Sequence, residues 1–421
     1  MPSFVTLDKE DMLSAKLKVV GVGGGGCNAI ESMMQRGLKG VEYVAVNTDA
    51  QVLKMSSANH KIQIGNNITR GLGAGADPNV GRKAIEEDRE KITKILEGSD
   101  MVFVTAGMGG GTGTGGAPVV ASIAKSLGAL VIGIVTKPFK WEGKRRMLNA
   151  DEGIHDLRRS VDSLIVIPND RLLSILDKTV SARTAFEKPN EVLYEATRGI
   201  ADIITIPGII NVDFADVRSV MNASGEALMG AGTASGENRA IEAAQKAISS
   251  PLLDGISIKG AKNILLNVTG SDDLTMQEID EGNKVIYEAA GEEANVIFGW
   301  VAKDEMNDSV SYTVIATGFG ASAKKESKII NDKKDQVEEK DKRFAGYTVE
   351  NFELPSAPEE LDTPTIFRVK GTNRILSEEN LVPRSGFKID QLDAFDGVQV
   401  EDKKDDKKNR GGSSFLRMMM D

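Results

Sequence analysis

The chain has 421 residues, 40% hydrophobic and 27% charged, with a net charge of −10. That composition suits two or three globular domains, and the acidic balance argues against a duplex nucleic-acid binder, which is usually basic. One cysteine rules out an intrachain disulfide, and with two histidines it leaves few ligands for a structural zinc site.

Residues 1–18 lack the apolar core of a secretory signal and carry acids early. No apolar run reaches the ~20 residues that span a bilayer. The expected location is cytoplasmic, with a membrane reached only through a partner and no direct insertion.

From residue 18 to 168, short apolar runs alternate with helical stretches. The runs are KVVGV (18–22), VEYVAV (41–46), MVFVTAG (101–107), LVIGIV (130–135) and SLIVI (163–167). Runs apolar on both faces suit parallel strands covered by helices. Repetition of strand and helix predicts a doubly wound, mostly parallel α/β sheet. Residues 80–96 read as one helix. A longer helix is expected between Pro189 at its first turn and Pro207 at its stop. A smaller α+β block follows, with helices over 237–248 and 275–290 and strands over 263–270, 294–301 and 310–318. The divisions are a flexible segment 1–17, a first α/β domain 18–185, a central helix 186–207, a second domain 208–320 and a tail 321–421. The tail is dense in charge of both signs and lacks apolar periodicity, so it reads as disordered. Two apolar islands, LDTPTIFR (361–368) and SSFLRMMMD (413–421), are candidate partner motifs.

Glycine is enriched, at 44 residues against an average use of roughly 7%. The first cluster, GVGGGGCN (21–28), follows a strand and opens a helix. Glycine admits a phosphate close to the backbone, and a helix N-terminus offers free amides. With Asp49 after the next strand it also satisfies a dinucleotide fingerprint. A second cluster, GGGTGTGG (109–116), repeats the arrangement on another strand, and a third, GLGAGADP (71–78), precedes a helix. Three such loops fit a nucleoside triphosphate better than a pyrophosphate bridge. Thr112 and Thr114 are candidate hydroxyl donors to phosphate or to a metal-bound water. In NVDFAD (211–216), Asp213 and Asp216 share a helical face. They read either as a helix cap or as a carboxylate pair that polarises water or helps hold a metal.

Taken together, GVGGGGCNA, NTDAQ, GLGAGADP, GGGTGTG, TKPFKWEGKRR, IPNDRLL and NVDFADVRSVM resemble the FtsZ family of bacterial tubulin-like division GTPases. The resemblance implies GTP and GDP binding with Mg²⁺, a central helix and a GTPase-activating second domain. It places Gly24, Gly25, Gly26, Asn28 and the Cys27 backbone on the phosphates, with Ala74, Gly75 and Ala76 near the γ-phosphate. Gly110, Gly111, Thr112, Gly113 and Thr114 form the rest of the cradle. Glu142 and Arg146 match ribose and phosphate contacts. Asn169, Phe186 and either Asn190 or Glu191 match the guanine contacts. Asn211, Asp213 and Asp216 match the loop that completes the site of the next subunit in a head-to-tail filament. The family's tail docks on membrane adaptors at mid-cell, and either island fits that role.

Overall fold

The structure is a computed structural model. It describes residues 15–319 apart from 174, 175, 177, 178, 207, 211, 254–257, 304 and 305. Asn211, Pro207 and the tail with both its islands lie outside the described residues.

The first half runs β1 (Leu17–Val22), α1 (Gly23–Gln35), β2 (Val41–Asn47), α2 (Ala50–Met55), β3 (His60–Gln63), α3 (Asn66–Thr69), α4 (Pro78–Glu87), α5 (Arg89–Leu96), β4 (Met101–Gly107), α6 (Thr112–Ser126), β5 (Leu130–Lys137), α7 (Lys144–Ser160) and β6 (Ser163–Pro168). Then come α8 (Asn169–Leu173), α9 (Ala182–Thr205), α10 (Phe214–Met221), β7 (Gly225–Ser235), α11 (Arg239–Ile248), β8 (Asn263–Gly270), α12 (Met276–Ala290), β9 (Asn295–Ala302) and β10 (Ser309–Thr317).

The strands form one sheet in the order β3-β2-β1-β4-β5-β6-β7-β10-β8-β9. The first six are parallel. β7 extends them through a short parallel pairing, Ser163 to Gly225 through Ile165 to Ala227. β10 then pairs antiparallel with β7 and β8, and β9 is parallel to β8. The chain leaves β1 outward through β2 and β3, then returns to β4 on the other side of β1. That reversal is the topological switch point where open α/β sheets bind ligands.

Alternate strand residues feed two cores. Val19, Ala45, Met101, Phe103 and Ile132 pack with α1 and α9. Val20, Val44, Val102, Val104 and Val131 pack beneath α4 to α7. A third core fills the second domain around Ile264, Leu266, Tyr312 and Val314. α9 buries Val192, Ala196 and Ile200 in the same core as Leu265 and Ile315, so it braces both halves. Buried Asp202 on α9 accepts from Arg198 Nε at 3.0 Å and from Lys303 Nζ, after β9, at 2.6 Å.

The structure corrects several expectations. The helix expected over 80–96 is two helices, divided at Asp88. The Asp88 carboxylate accepts the Gly65 amide at 2.8 Å, and its backbone leaves helical geometry. α9 begins seven residues before Pro189, because Ser181 supplies a side-chain cap to the Thr184 amide. Pro189 is therefore interior. It lacks the N–H for one helical bond, and the helix continues through it. β3 and β7 were not anticipated.

Candidate nucleotide site

β1 and β4 are neighbours, and the chain after each passes through glycines into a helix. α1 starts at Gly23 after Val22, and α6 starts at Thr112 after Gly111. Neither end has a side-chain cap. A helix leaves its first amides without internal partners and carries a partial positive charge there. Two uncapped ends side by side are suited to an anionic ligand.

Close packing explains many of the glycines. Gly23 has φ +73°, and a Cβ there would lie 2.7 Å from the Gly113 nitrogen. A Cβ on Gly26 would lie 2.5 Å from the Thr105 carbonyl oxygen, and one on Gly25 would lie 3.0 Å from the Gly107 Cα. Gly111 meets the third loop in the same way, 2.7 Å from the Ala74 Cβ. Gly24 and Gly110 are buried members of the same two loops.

The third loop differs from the other two. Asp77 already caps α4 by accepting the Asn79 amide at 2.9 Å. The loop offers a turn instead. The Asp77 amide donates to the Ala74 carbonyl at 3.1 Å, across Gly75 and Ala76, which both have positive φ. Asn149 Nδ2 holds the Ala76 carbonyl at 3.3 Å.

The two threonines are buried and engaged within the protein. Thr112 Oγ1 lies 2.7 Å from Thr48 Oγ1. Thr114 Oγ1 accepts the Gly109 amide at 2.8 Å, which leaves its own hydrogen to donate. Burial pushes the Cys27 thiol up to about 12, so Cys27 offers its backbone and no thiolate.

Beside the loops is a cavity of about 310 Å³, lined by Gly25, Asn28, Glu142, Arg146, Asn169, Phe186 and Asn190 among others. Two buried polar atoms in its wall, Asn28 Nδ2 and Asn169 Oδ1, have no hydrogen-bond partner among the described residues. Leaving such groups unpaired costs about 1–3 kcal/mol each, so a donor and an acceptor await a polar ligand. Glu142 accepts the Phe139 amide at 2.7 Å through Oε1 and pairs with Arg146 Nε at 3.1 Å through Oε2. That arrangement fixes both side chains at the cavity wall.

Asn190 faces this cavity and Glu191 does not. Glu191 pairs with Lys188 at 2.9 Å and Arg36 at 3.9 Å on another side of α9. Asp213 and Asp216 are exposed and outside the cavity. Asp213 caps α10 by accepting the Asp216 amide at 2.8 Å, so the capping reading is realised. The exposed carboxylates remain available for a second role.

The structure adds wall residues that sequence reasoning passed over, chiefly Trp141, with Met108, Pro138, Pro189 and Leu193. Trp141 stacks on Phe139 at 5.5 Å and 14°, and both rings meet Phe186 edge-on at 5.8 and 5.7 Å. The available signal was the pair of aromatics in TKPFKWEG, between a strand and a helix. A larger cavity of about 800 Å³ lies along α9, β7 and β10. Residues of the phosphate loops do not line it.

A doubly wound sheet with two open helix ends at its switch point, beside a cavity with unpaired polar atoms, defines a nucleotide-binding protein. Residues 16–177 match the Tubulin/FtsZ family GTPase domain, and residues 225–320 match the FtsZ family C-terminal domain. An FtsZ variant from M. jannaschii is similar at 45% identity with a TM-score of 0.70, over 73% of this chain and 92% of that one. An empty FtsZ dimer from M. jannaschii is similar at 44% identity with a TM-score of 0.70, over 74% and 90%. CetZ2 from Haloferax volcanii, a GTPγS-bound protofilament, shares the fold at 21% identity with a TM-score of 0.63, over 77% and 99%. The chain belongs to the Tubulin/FtsZ family and is a GTPase.

Proposed function

We propose that this protein polymerises head-to-tail on GTP and forms the division ring at the septum in bacterial cytokinesis. The observation that carries the reading is the separation of Asp213 and Asp216, both exposed, from the nucleotide cavity. Carboxylates beside a bound triphosphate in the same subunit would repel it. On the opposite face of a neighbour they would meet the γ-phosphate only on assembly. A repeated head-to-tail contact that does not close gives a filament. Relatives described as an FtsZ dimer and a CetZ2 protofilament support self-assembly.

In this scheme, uncapped amides of α1 and α6 hold the phosphates, and Asn169, Phe186 and Asn190 hold guanine. Asp213, with Asp216 and Asn211, orients water for in-line attack on the γ-phosphorus. The new P–O bond forms as the bond to the β-phosphate oxygen breaks, giving GDP and phosphate. Among the described residues, no group of three or more acidic, histidine or cysteine side chains is placed to hold a metal. Mg²⁺, held mainly through the GTP phosphates and water, would neutralise charge there. Either island, 361–368 or 413–421, or both, supplies the docking peptide for a membrane adaptor, which brings a cytoplasmic filament to the inner face of the membrane at mid-cell. Among the described residues, no helix is long and apolar enough to cross a membrane.

Sedimentation and electron microscopy with GTP, GDP and no nucleotide test the assembly. Phosphate release measured against protein concentration tests its coupling to hydrolysis. Filaments with GTP and a rate per subunit that rises with concentration are expected. A rate per subunit independent of concentration would refute the shared site.

A further inference from the structure

We propose that Trp141 is a second aromatic wall for the guanine base, beside Phe186, and that it sets how slowly nucleotide leaves. This rests on the reading that the cavity holds guanine nucleotide.

Trp141 lines the cavity yet is 65% exposed. A large indole left open to water and beside a cavity has apolar area still to cover. Its position is nonetheless fixed from several sides. Phe139 beneath it is buried, and the two rings are nearly parallel. Phe186, assigned to the base, meets Trp141 edge-on. The short helical turn Lys140–Glu142 that carries Trp141 is tied at both ends. The Lys140 amide donates to Asp170 Oδ1 at 3.2 Å, next to Asn169, and Glu142 returns to the Phe139 amide and to Arg146. Trp141 is therefore connected to the base-reading asparagine on one side and to the phosphate-side arginine on the other.

An aromatic face contacts any purine, so this wall adds retention and little base selectivity. Selectivity stays with Asn169 and Asn190. A base covered on one more face must break that contact before it leaves, so the wall acts on release. An exposed tryptophan could instead serve contacts between subunits, and measurement on unassembled protein separates the two.

The test uses the full chain diluted below assembly, loaded with radiolabelled GDP and chased with unlabelled GDP. Trp141→Ala should release GDP about tenfold faster, in line with the loss of one aromatic–base stack. Trp141→Phe, which keeps a ring, should restore most of the slow release. Indole emission of the parent should change on GDP binding and stop changing in Trp141→Phe. The other tryptophan, Trp300, is buried in the second domain and leaves that signal readable. If the parent retains GDP while Trp141→Ala releases it at the parental rate with unchanged emission, the wall is refuted and the guanine site stands. If the parent retains no GDP, the guanine reading falls and the wall with it.

Discussion

Gly23 and Gly113 meet backbone to backbone: a Cβ on Gly23 would stand 2.7 Å from the amide nitrogen of Gly113. The two glycine loops thus form one surface, and a change in either disturbs both. Gly23→Ala combines that clash with a left-handed backbone, which costs a non-glycine residue about 1–2 kcal/mol. Gly37 has φ +76° and open space around it. Gly37→Ala therefore carries the backbone cost alone. Urea unfolding should show Gly23→Ala to be the more destabilised. GTP affinity should fall at least about tenfold, 1.4 kcal/mol, in Gly23→Ala and stay at the parental value in Gly37→Ala. Equal affinity losses would mean the loop contact is incidental to binding.

Asn169 presents a buried Oδ1 with no hydrogen-bond partner among the described residues. Asn169→Ala removes an acceptor the protein itself leaves unused, so the free protein should be no less stable. GTP binding should weaken by about 1–3 kcal/mol, the cost of losing a hydrogen bond to a buried group. ATP, which carries an amino donor at a different ring position, should be affected less, so discrimination between the bases narrows. Calorimetric titration with each nucleotide reads both numbers. A parallel loss for GTP and ATP would move base reading to Asn190.

How much of this was legible follows from what each residue type must do. β1, β4 and β5 are buried on both faces, so unbroken apolar runs announced them. The glycine loops were legible because close backbone approach admits no other residue. β7 was hidden for the same reason. A Cβ on Gly230 would lie 2.1 Å from the Ala247 carbonyl, and one on Gly232 would lie 2.3 Å from that of Ala243. The strand gives up the large β-branched residues that mark strands so that α11 can lie against it. The break at Asp88 was hidden because the apolar spacing continues across it, and only the distant Gly65 amide explains it. Trp141 sits on a three-residue turn, where no periodicity exists to show which way a ring faces. That Asn190 and not Glu191 lines the cavity was hidden because Glu191 is drawn to Lys188 and Arg36, partners that only the folded chain brings together.

Glu195 lies on α9 beside the larger cavity. Burial raises its carboxyl above the ordinary range, and Glu191 adds to the rise, while Lys188, Arg36 and Arg198 oppose it. A folded-state value above the unfolded one means that folding favours the protonated form. The stability Glu195 permits is whole below the ordinary glutamate value of about 4.3 and is lost as pH rises through the raised value. Glu195→Gln holds the neutral form at every pH. Its melting temperature should exceed the parent's at neutral pH, and the difference should shrink on acidification toward that ordinary value. A gain independent of pH, or a loss at neutral pH, would show that the ionised carboxylate is stabilised by its cationic neighbours after all.

Asp213 caps α10 and is also proposed to serve the neighbouring subunit, and two substitutions separate these roles. Asp213→Ala removes cap and charge together, and the cap alone is worth about 1 kcal/mol. Asp213→Asn keeps a capping oxygen of similar quality and removes the carboxylate. If catalysis needs the charge, Asp213→Asn should melt with the parent and bind GTP normally, yet release phosphate at least about a hundredfold more slowly, the lower end for a lost general base. A partner variant, Gly111→Asp, places a carboxylate where even a Cβ would lie 2.7 Å from Ala74 and 2.9 Å from the Asp77 amide, so it should bind no GTP. A subunit with an intact cavity and no Asp213 carboxylate can still be served by a neighbour that keeps Asp213 but holds no nucleotide. Mixing the two inactive proteins should therefore restore part of the phosphate release, with circular dichroism confirming both folds and sedimentation confirming co-assembly. If the variants co-assemble and the mixture stays inactive, or if Asp213→Asn loses GTP binding itself, the carboxylate acts within its own subunit and the shared site is wrong.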